Sequence, residues 1–339
     1  DEARVKWERA RQDSLSRTVP PPPHAEAHPG ADQAARDSAR RNFLALTFVL
    51  MVGTAALPHI LMRYYTTPTV REARRSVFWS LFFIFLLYVT APAYAVFAKW
   101  EVYSSLVGSN IATLPHWVAS WGKVGLVKIE DINGDGILQL AELTINSDAI
   151  LLLVPELAGL PYVVSGLVAA GGLAAALSTA DGLLLTISHA LSHDLYYKII
   201  NPEASTQRRL VITKSQLLVV AVVAAWVASL RPDSILFMVG LAFSIAASAF
   251  FPALVLGIFW KRANKWGAVT GMIAGLGMTL YYIVRTHPFF GGSMADAWLD
   301  IHPISCGVFG VPAGFVVIAV VSLLTPPPSA EVQALVDDV

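Results

Sequence analysis

From Asn42 onward the chain is built of long apolar runs separated by short polar ones. A helix that crosses a bilayer needs about 20 largely apolar residues. Residues 43–62, 77–97, 162–185, 215–230, 235–260, 267–284 and 305–324 form seven such runs. The fourth is short and must borrow flanking residues such as 210–213. Small residues interrupt several runs. Gly171, Gly172, Gly240, Gly271, Gly275 and Gly277 would let helix backbones approach closely. Residues 1–41 differ in kind. They are polar and Pro-rich, with Pro20 to Pro23 in a row, and are expected to form a flexible or semi-rigid extramembrane segment.

Basic residues orient the runs, because short cytoplasmic loops collect Lys and Arg. Loop 63–76 carries Arg63, Arg71, Arg74 and Arg75. Loop 195–214 carries Lys198, Arg208, Arg209 and Lys214. Loop 261–266 carries Lys261, Arg262 and Lys265. These alternate loops are assigned to the cytoplasm. Loop 98–161, with three lysines against seven acids, faces outward, as do 231–234 and 285–304. Residues 1–41 then lie outside and the acidic tail 326–339 inside.

Composition agrees with a membrane protein. Of 339 residues, 55% are hydrophobic and 14% charged, whereas soluble domains carry about 25% charged residues. Lys plus Arg and Asp plus Glu are 24 each, so bulk charge gives no sign of a nucleic-acid partner. The single cysteine, Cys306, excludes an internal disulfide and a Cys-based zinc cluster. The chain starts at Asp1 without a charged-then-apolar leader, and we expect a piece of a longer protein. Enzyme signatures such as a phosphate-binding Gly-rich loop, His-Glu-x-x-His or G-x-S-x-G are missing from the sequence, so a non-enzymatic role is expected.

Three places could carry chemistry. Residues 131–142 fit a twelve-residue calcium loop. Asp131, Asn133, Asp135 and Gln139 place oxygens at positions 1, 3, 5 and 9. Gly136 supplies the turn, Ile137 a backbone carbonyl, and Glu142 two oxygens at position 12. A calcium ion there would act as a structural clip on an external loop. In the third run, Ala175, Ser178 and Thr179 share one helical face. One carbonyl and two hydroxyls can replace part of a small cation's water shell. Ser and Thr can equally bond back to their own helix. Asp181 beside them is a carboxylate inside a membrane helix, costly unless it functions. In the first run, Gly53 and Pro58 predict a break that exposes backbone groups to a small ligand. His59 reads as a polar anchor. His189 and His193, beside Asp194, read as an interfacial polar cluster, with Tyr196, Tyr197, Trp260 and Trp266 as interfacial aromatics.

At these residues the sequence resembles the sodium/solute symporter family, and its acetate-permease-like branch in particular. The resemblance rests on Gly53-Thr-Ala-Ala-Leu-Pro-His-Ile-Leu-Met-Arg63 followed by 71–76. It extends over Ser192-His-Asp-Leu-Tyr196, over residues 240–248, and over the pattern Gly257-Ile258, Arg262, Gly267-Ala268 and 271–277. It implies an all-α membrane protein of the LeuT-type fold. Residues 42–262 would be the second inverted five-helix repeat, core helices six to ten, with loop 98–161 outside. Residues 263–325 would add two transmembrane helices. The missing N-terminal half of the same transporter would hold the first repeat and the rest of each site.

The resemblance assigns Ala175, Ser178 and Thr179, with Asp181, to sodium binding, and Gly53 and Thr54 to substrate contacts. It implies a sodium-coupled symporter of the cytoplasmic (bacterial inner) membrane, carrying a small monocarboxylate such as acetate. Proline or pyruvate remain alternatives, as does a symporter-like sensor module. The expected partners are membrane lipid and the carboxylate substrate.

Overall fold

The structure is a computed structural model that describes residues 4–11, 28, 30, 32–64, 66–146, 149–230 and 233–337. The Pro20–Pro23 run lies outside the described residues. Among the described residues six helices are long and apolar enough to cross a membrane, and a bent pair, Gln33–Ala56 with Pro58–Tyr64, makes a seventh when taken as one span. The protein is thus all-α in its membrane part and multi-pass. The chain divides into two compact units, residues 1–21 with 67–180, and residues 22–66 with 181–339.

In the first unit, helix α1 covers residues 4–11 and α4 covers Val70–Ser105. Thr69 caps α4 by accepting from Glu72 N at 3.2 Å, which starts the helix well before the apolar run at 77. The stretch read as an external loop has its own fold. It contains α5 (His116–Lys123), the antiparallel strands β1 (Val127–Ile129) and β2 (Leu143–Ile145), and α6 (Ile150–Leu157). Val127 pairs with Ile145, and Ile129 with Leu143. Leu106, Leu138 and Leu153 are fully buried there among Val102, Val118, Val127, Leu143 and Leu157. Tyr94 Oη donates to Leu151 O at 3.0 Å and fastens α6 to α4. Helix α7 (Tyr162–His189) begins in this unit.

In the second unit, α2 (Gln33–Ala56) begins ten residues before the first apolar run. Asp32 accepts from Ala35 N at 2.7 Å, and Asp37 pairs with Arg40 at 3.0 Å. Residues 33–41 are therefore helical, where composition predicted a flexible segment. N-capping and i,i+3 pairing lie outside what hydropathy registers. The helix stops at Leu57, whose ψ of 116 is the extended conformation favoured before proline. Helix α3 (Pro58–Tyr64) restarts with Pro58 in its first turn and a bend of 44°. After α7 the chain continues as a π-helix (Ala190–Ile200), then α8 (Thr206–Ser229).

Close packing joins α9 (Ile235–Phe259), α10 (Lys265–Thr286) and α11 (Gly307–Leu324). Hydroxyls tie these helices together. Thr279 Oγ1 donates to Ser248 Oγ at 2.7 Å, Ser248 Oγ donates to Ser244 O at 2.9 Å, and Ser244 Oγ donates to Ile304 O. Gly271 and Gly275 meet α11 and α9 closely as expected, whereas Gly171 and Gly277 have nothing within 4 Å of a would-be Cβ. Asn264 joins the α10 start to the chain after α11, donating to Thr325 Oγ1 at 2.7 Å and Pro326 O at 2.9 Å. A short helix, α12 (Ala330–Asp337), follows. Before α11, Leu299 and Asp300 have φ of 55 and 57, which costs a non-glycine residue about 1–2 kcal/mol each. Asn42 of α2 clasps that turn, donating to Asp300 O and accepting from His302 N, both at 2.7 Å.

Candidate functional site

The loop at 131–142 folds back on itself. Asp131 Oδ1 accepts from Gly134 N at 2.7 Å and Oδ2 from Gly136 N at 3.1 Å. Gly134 and Gly136 have φ of 75 and 71, so the turns need residues without a Cβ. Asp135 Oδ1 accepts from Ile137 N at 2.8 Å, and its Oδ2 accepts from Asn133 Nδ2 and Gln139 Nε2. The Ile137 N–H holds the Asp135 carboxyl below the usual carboxylate range. Glu142 is 2% exposed and accepts from Ile132 N at 2.8 Å and from Gln139 N at 3.1 Å. Among the described residues no three His, Cys, Asp or Glu side chains converge on a metal position. The calcium reading therefore gains no support. The acidic spacing is realised as carboxylates capping backbone N–H groups, and β1 leads into the loop where a calcium hand would have a helix.

Ala175, Ser178 and Thr179 lie on α7 in the first unit, all exposed. Thr179 Oγ1 donates to Ala175 O at 3.1 Å, so two members of the trio bond to each other along the helix. This is the bonding a Ser or Thr takes within its own helix. It also sets the Ala175 carbonyl and the Thr179 hydroxyl beside one another on an exposed face. Asp181 is exposed on the same helix and falls in the second unit.

Gly53 is buried, and a Cβ there would stand 2.7 Å from Phe243 O of α9. The residue is glycine because α2 and α9 touch backbone to backbone at this level. Gly53 thus faces a neighbouring helix, while Thr54 is exposed and donates to Leu50 O at 2.7 Å. The break at Leu57 and Pro58 follows one turn later.

Sequence reasoning took His59 for an anchor and gave no role to the start of α3. In the structure His59, Met62 and Arg63 lie against the α7 stretch at Gly182 and Thr186. Thr186 Oγ1 donates to Gly182 O at 2.7 Å and lies 3.0 Å from Met62 Sδ. The i,i+4 spacing of His59 and Arg63 was the signal available. In the second histidine cluster, contacts form around His193 and Asp194. His193 Nδ1 lies 3.1 Å from Asp194 Oδ1, Lys198 Nζ lies 3.2 Å from the same oxygen, and Arg209 sits 3.8 Å over the Tyr197 ring.

Comparison with known proteins agrees with this architecture. A model of the sodium:solute symporter family matches residues 23–275. The chain is 54% identical over 339 residues to an uncharacterized symporter of Cupriavidus necator, covering 98% of this chain and 50% of that protein. It is 29% identical over 294 residues to a monocarboxylic acid transporter of Corynebacterium glutamicum, covering 85% of this chain and 47% of that protein. The chain spans about half the length of the curated relatives it matches. With three quarters of its residues inside the family match and a set of membrane-spanning helices one of which is broken, the chain belongs to the sodium:solute symporter family.

Proposed function

We propose that this chain forms part of a sodium-coupled symporter that carries a small monocarboxylate, of acetate size, across the cytoplasmic membrane. Family membership supports solute symport and sodium as the coupling ion. The monocarboxylic acid transporter among its relatives supports the substrate class. The observation that carries most weight is the broken span. At Leu57 and Pro58 a membrane helix bends by 44° where Pro58 offers no N–H to the preceding turn, and a carbonyl freed in this way is tolerated only where it is buried in protein or lines a water-filled path.

Transport would proceed by alternating access. Sodium would bind at the Ala175 carbonyl and the Ser178 and Thr179 hydroxyls and favour the outward-open state, and the Asp181 carboxylate would serve as a sodium ligand in its own right. Substrate would bind beside the helix break near Thr54 and Gly53. Coupling demands only that each ligand bind one state better than the other. The remaining ligands would come from the half of the transporter this chain does not contain.

Uptake of labelled acetate by the full-length gene product, with and without sodium, tests the proposal. Sodium-stimulated uptake that unlabelled propionate and pyruvate inhibit is expected. Uptake indifferent to sodium would remove the coupling ion, and inhibition by proline alone would remove the monocarboxylate.

A further inference from the structure

We propose that His59 and Arg63 of α3, set against Gly182 of α7, form a carboxylate-binding station on the cytoplasmic side of the helix break. This rests on the monocarboxylate reading above and adds to it a second site for the same ligand class.

Four observations bring the station together. His59 and Arg63 are one turn apart on the short helix that follows the break, so they share a face. That face is turned to α7. A Cβ on Gly182 would stand 3.3 Å from Arg63 Nη2 and 3.7 Å from His59 Cβ. Gly182 is buried although its neighbours on α7 are largely exposed. The His59 Nδ1 atom is buried and has no hydrogen-bond partner. Leaving a polar atom buried and unpaired costs about 1–3 kcal/mol, so a hydrogen-bond partner supplied there would be stabilising.

An arginine placed only to anchor a helix in lipid extends toward the headgroups. Here the guanidinium lies over a position of the facing helix that lacks a side chain. A guanidinium fork can give two parallel hydrogen bonds to a carboxylate, and an imidazole N–H can give a third. Asp181 sits about 100° round α7 from Gly182, off the face that Gly182 shares with Thr186. The basic loop 63–76 places this end of the span at the cytoplasm. A monocarboxylate released from the break would meet this pair before reaching water.

The test uses the full-length transporter reconstituted in liposomes, with labelled acetate presented in turn to the outer and the inner face. Arg63→Gln should raise KM at the inner face about tenfold, the effect of losing one charge-assisted bidentate contact. KM at the outer face should change by less than about twofold. His59→Gln should give a smaller rise at the inner face, and Arg63→Lys should fall between wild type and Arg63→Gln. Gly182→Ala serves as a second variant, since it alters no polar group and narrows the space beneath the guanidinium. It too should raise KM at the inner face alone. Equal changes at both faces, or none in Arg63→Gln, would overturn the station while leaving monocarboxylate transport intact. If Arg63→Gln does not fold, an unchanged inner-face KM in Gly182→Ala overturns the station in its place. A wild-type protein that moves none of acetate, propionate and pyruvate would overturn the substrate reading and the station together.

Discussion

Two stretches of this molecule have similar ingredients and opposite surroundings. Helices α9, α10 and α11 carry Ser244, Ser248 and Thr279 among Ala and Gly, and helix α7 carries Ser178 and Thr179 among Ala and Gly. In the first stretch all three hydroxyls are fully buried, and two of them reach another helix or the loop before α11. In the second, the residues are exposed and the Thr179 hydroxyl bonds to a carbonyl of its own helix. Lipid gives no hydrophobic drive for helices to associate, so small residues and hydroxyls act as adhesive only where a partner lies opposite. The α7 face has the chemistry of an interface or a cation site, yet it stands exposed. That is the condition expected of a chain spanning half the length of its relatives.

The sharpest way to break the comparison is to remove both α7 hydroxyls in the full-length protein. Ser178→Ala with Thr179→Ala should raise the sodium concentration for half-maximal uptake by about tenfold or more, the loss of at least one ligand contact. Melting temperature should barely change. Unaltered sodium dependence would show that these hydroxyls merely satisfy their helix. A buried network should behave in the reverse manner. Thr279→Val withdraws the donor to Ser248 from a dry interface and should cost about 1–2 kcal/mol, read as a lower melting temperature in detergent with an unchanged sodium requirement.

The loop 131–142 extends the contrast to the small domain outside the membrane spans. Glu142→Ala strands the N–H groups of Ile132 and Gln139 and should cost about 1–3 kcal/mol. Faster hydrogen exchange across 127–145 is the readout, with acetate uptake retained. The smallest effect expected is one of pH. Burial, first, and then the nearby His287 lower the His302 pKa, while Asp233 opposes them. A group whose folded pKa lies below its unfolded value of about 6.5 binds protons preferentially in the unfolded state. Stability should therefore fall as pH drops below about 6.5, until the folded pKa is passed. His302→Gln should flatten that slope, and an unchanged slope would assign the pH dependence to other groups.

Much of the architecture was legible beforehand because it depends on local quantities. Apolar run length located the spans, and Pro58 located the break. Capping residues were present at the helix starts, yet the early start of α2 at Gln33 went unseen, since hydropathy is blind to a helix that continues into water. The stretch 98–161 read as a loop because its core residues, among them Val102, Leu106, Leu138 and Leu153, are scattered over about 50 positions. Such burial is a property of three-dimensional proximity. The calcium spacing is a related case. Asp131, Asp135 and Glu142 stand at ligand intervals, and in the structure their carboxylates accept from backbone N–H groups of the loop between β1 and β2.

The sequence by itself determined that this is a multi-pass helical membrane protein with one span interrupted by proline, because both follow from the cost of exposing backbone or charge to lipid. Only the tertiary structure decided which small and polar residues have neighbours. It buried Gly53 against α9, left the α7 trio exposed, and brought Arg63 over Gly182. Contacts between residues more than a hundred positions apart are fixed by helix packing, and no local pattern in the chain encodes them.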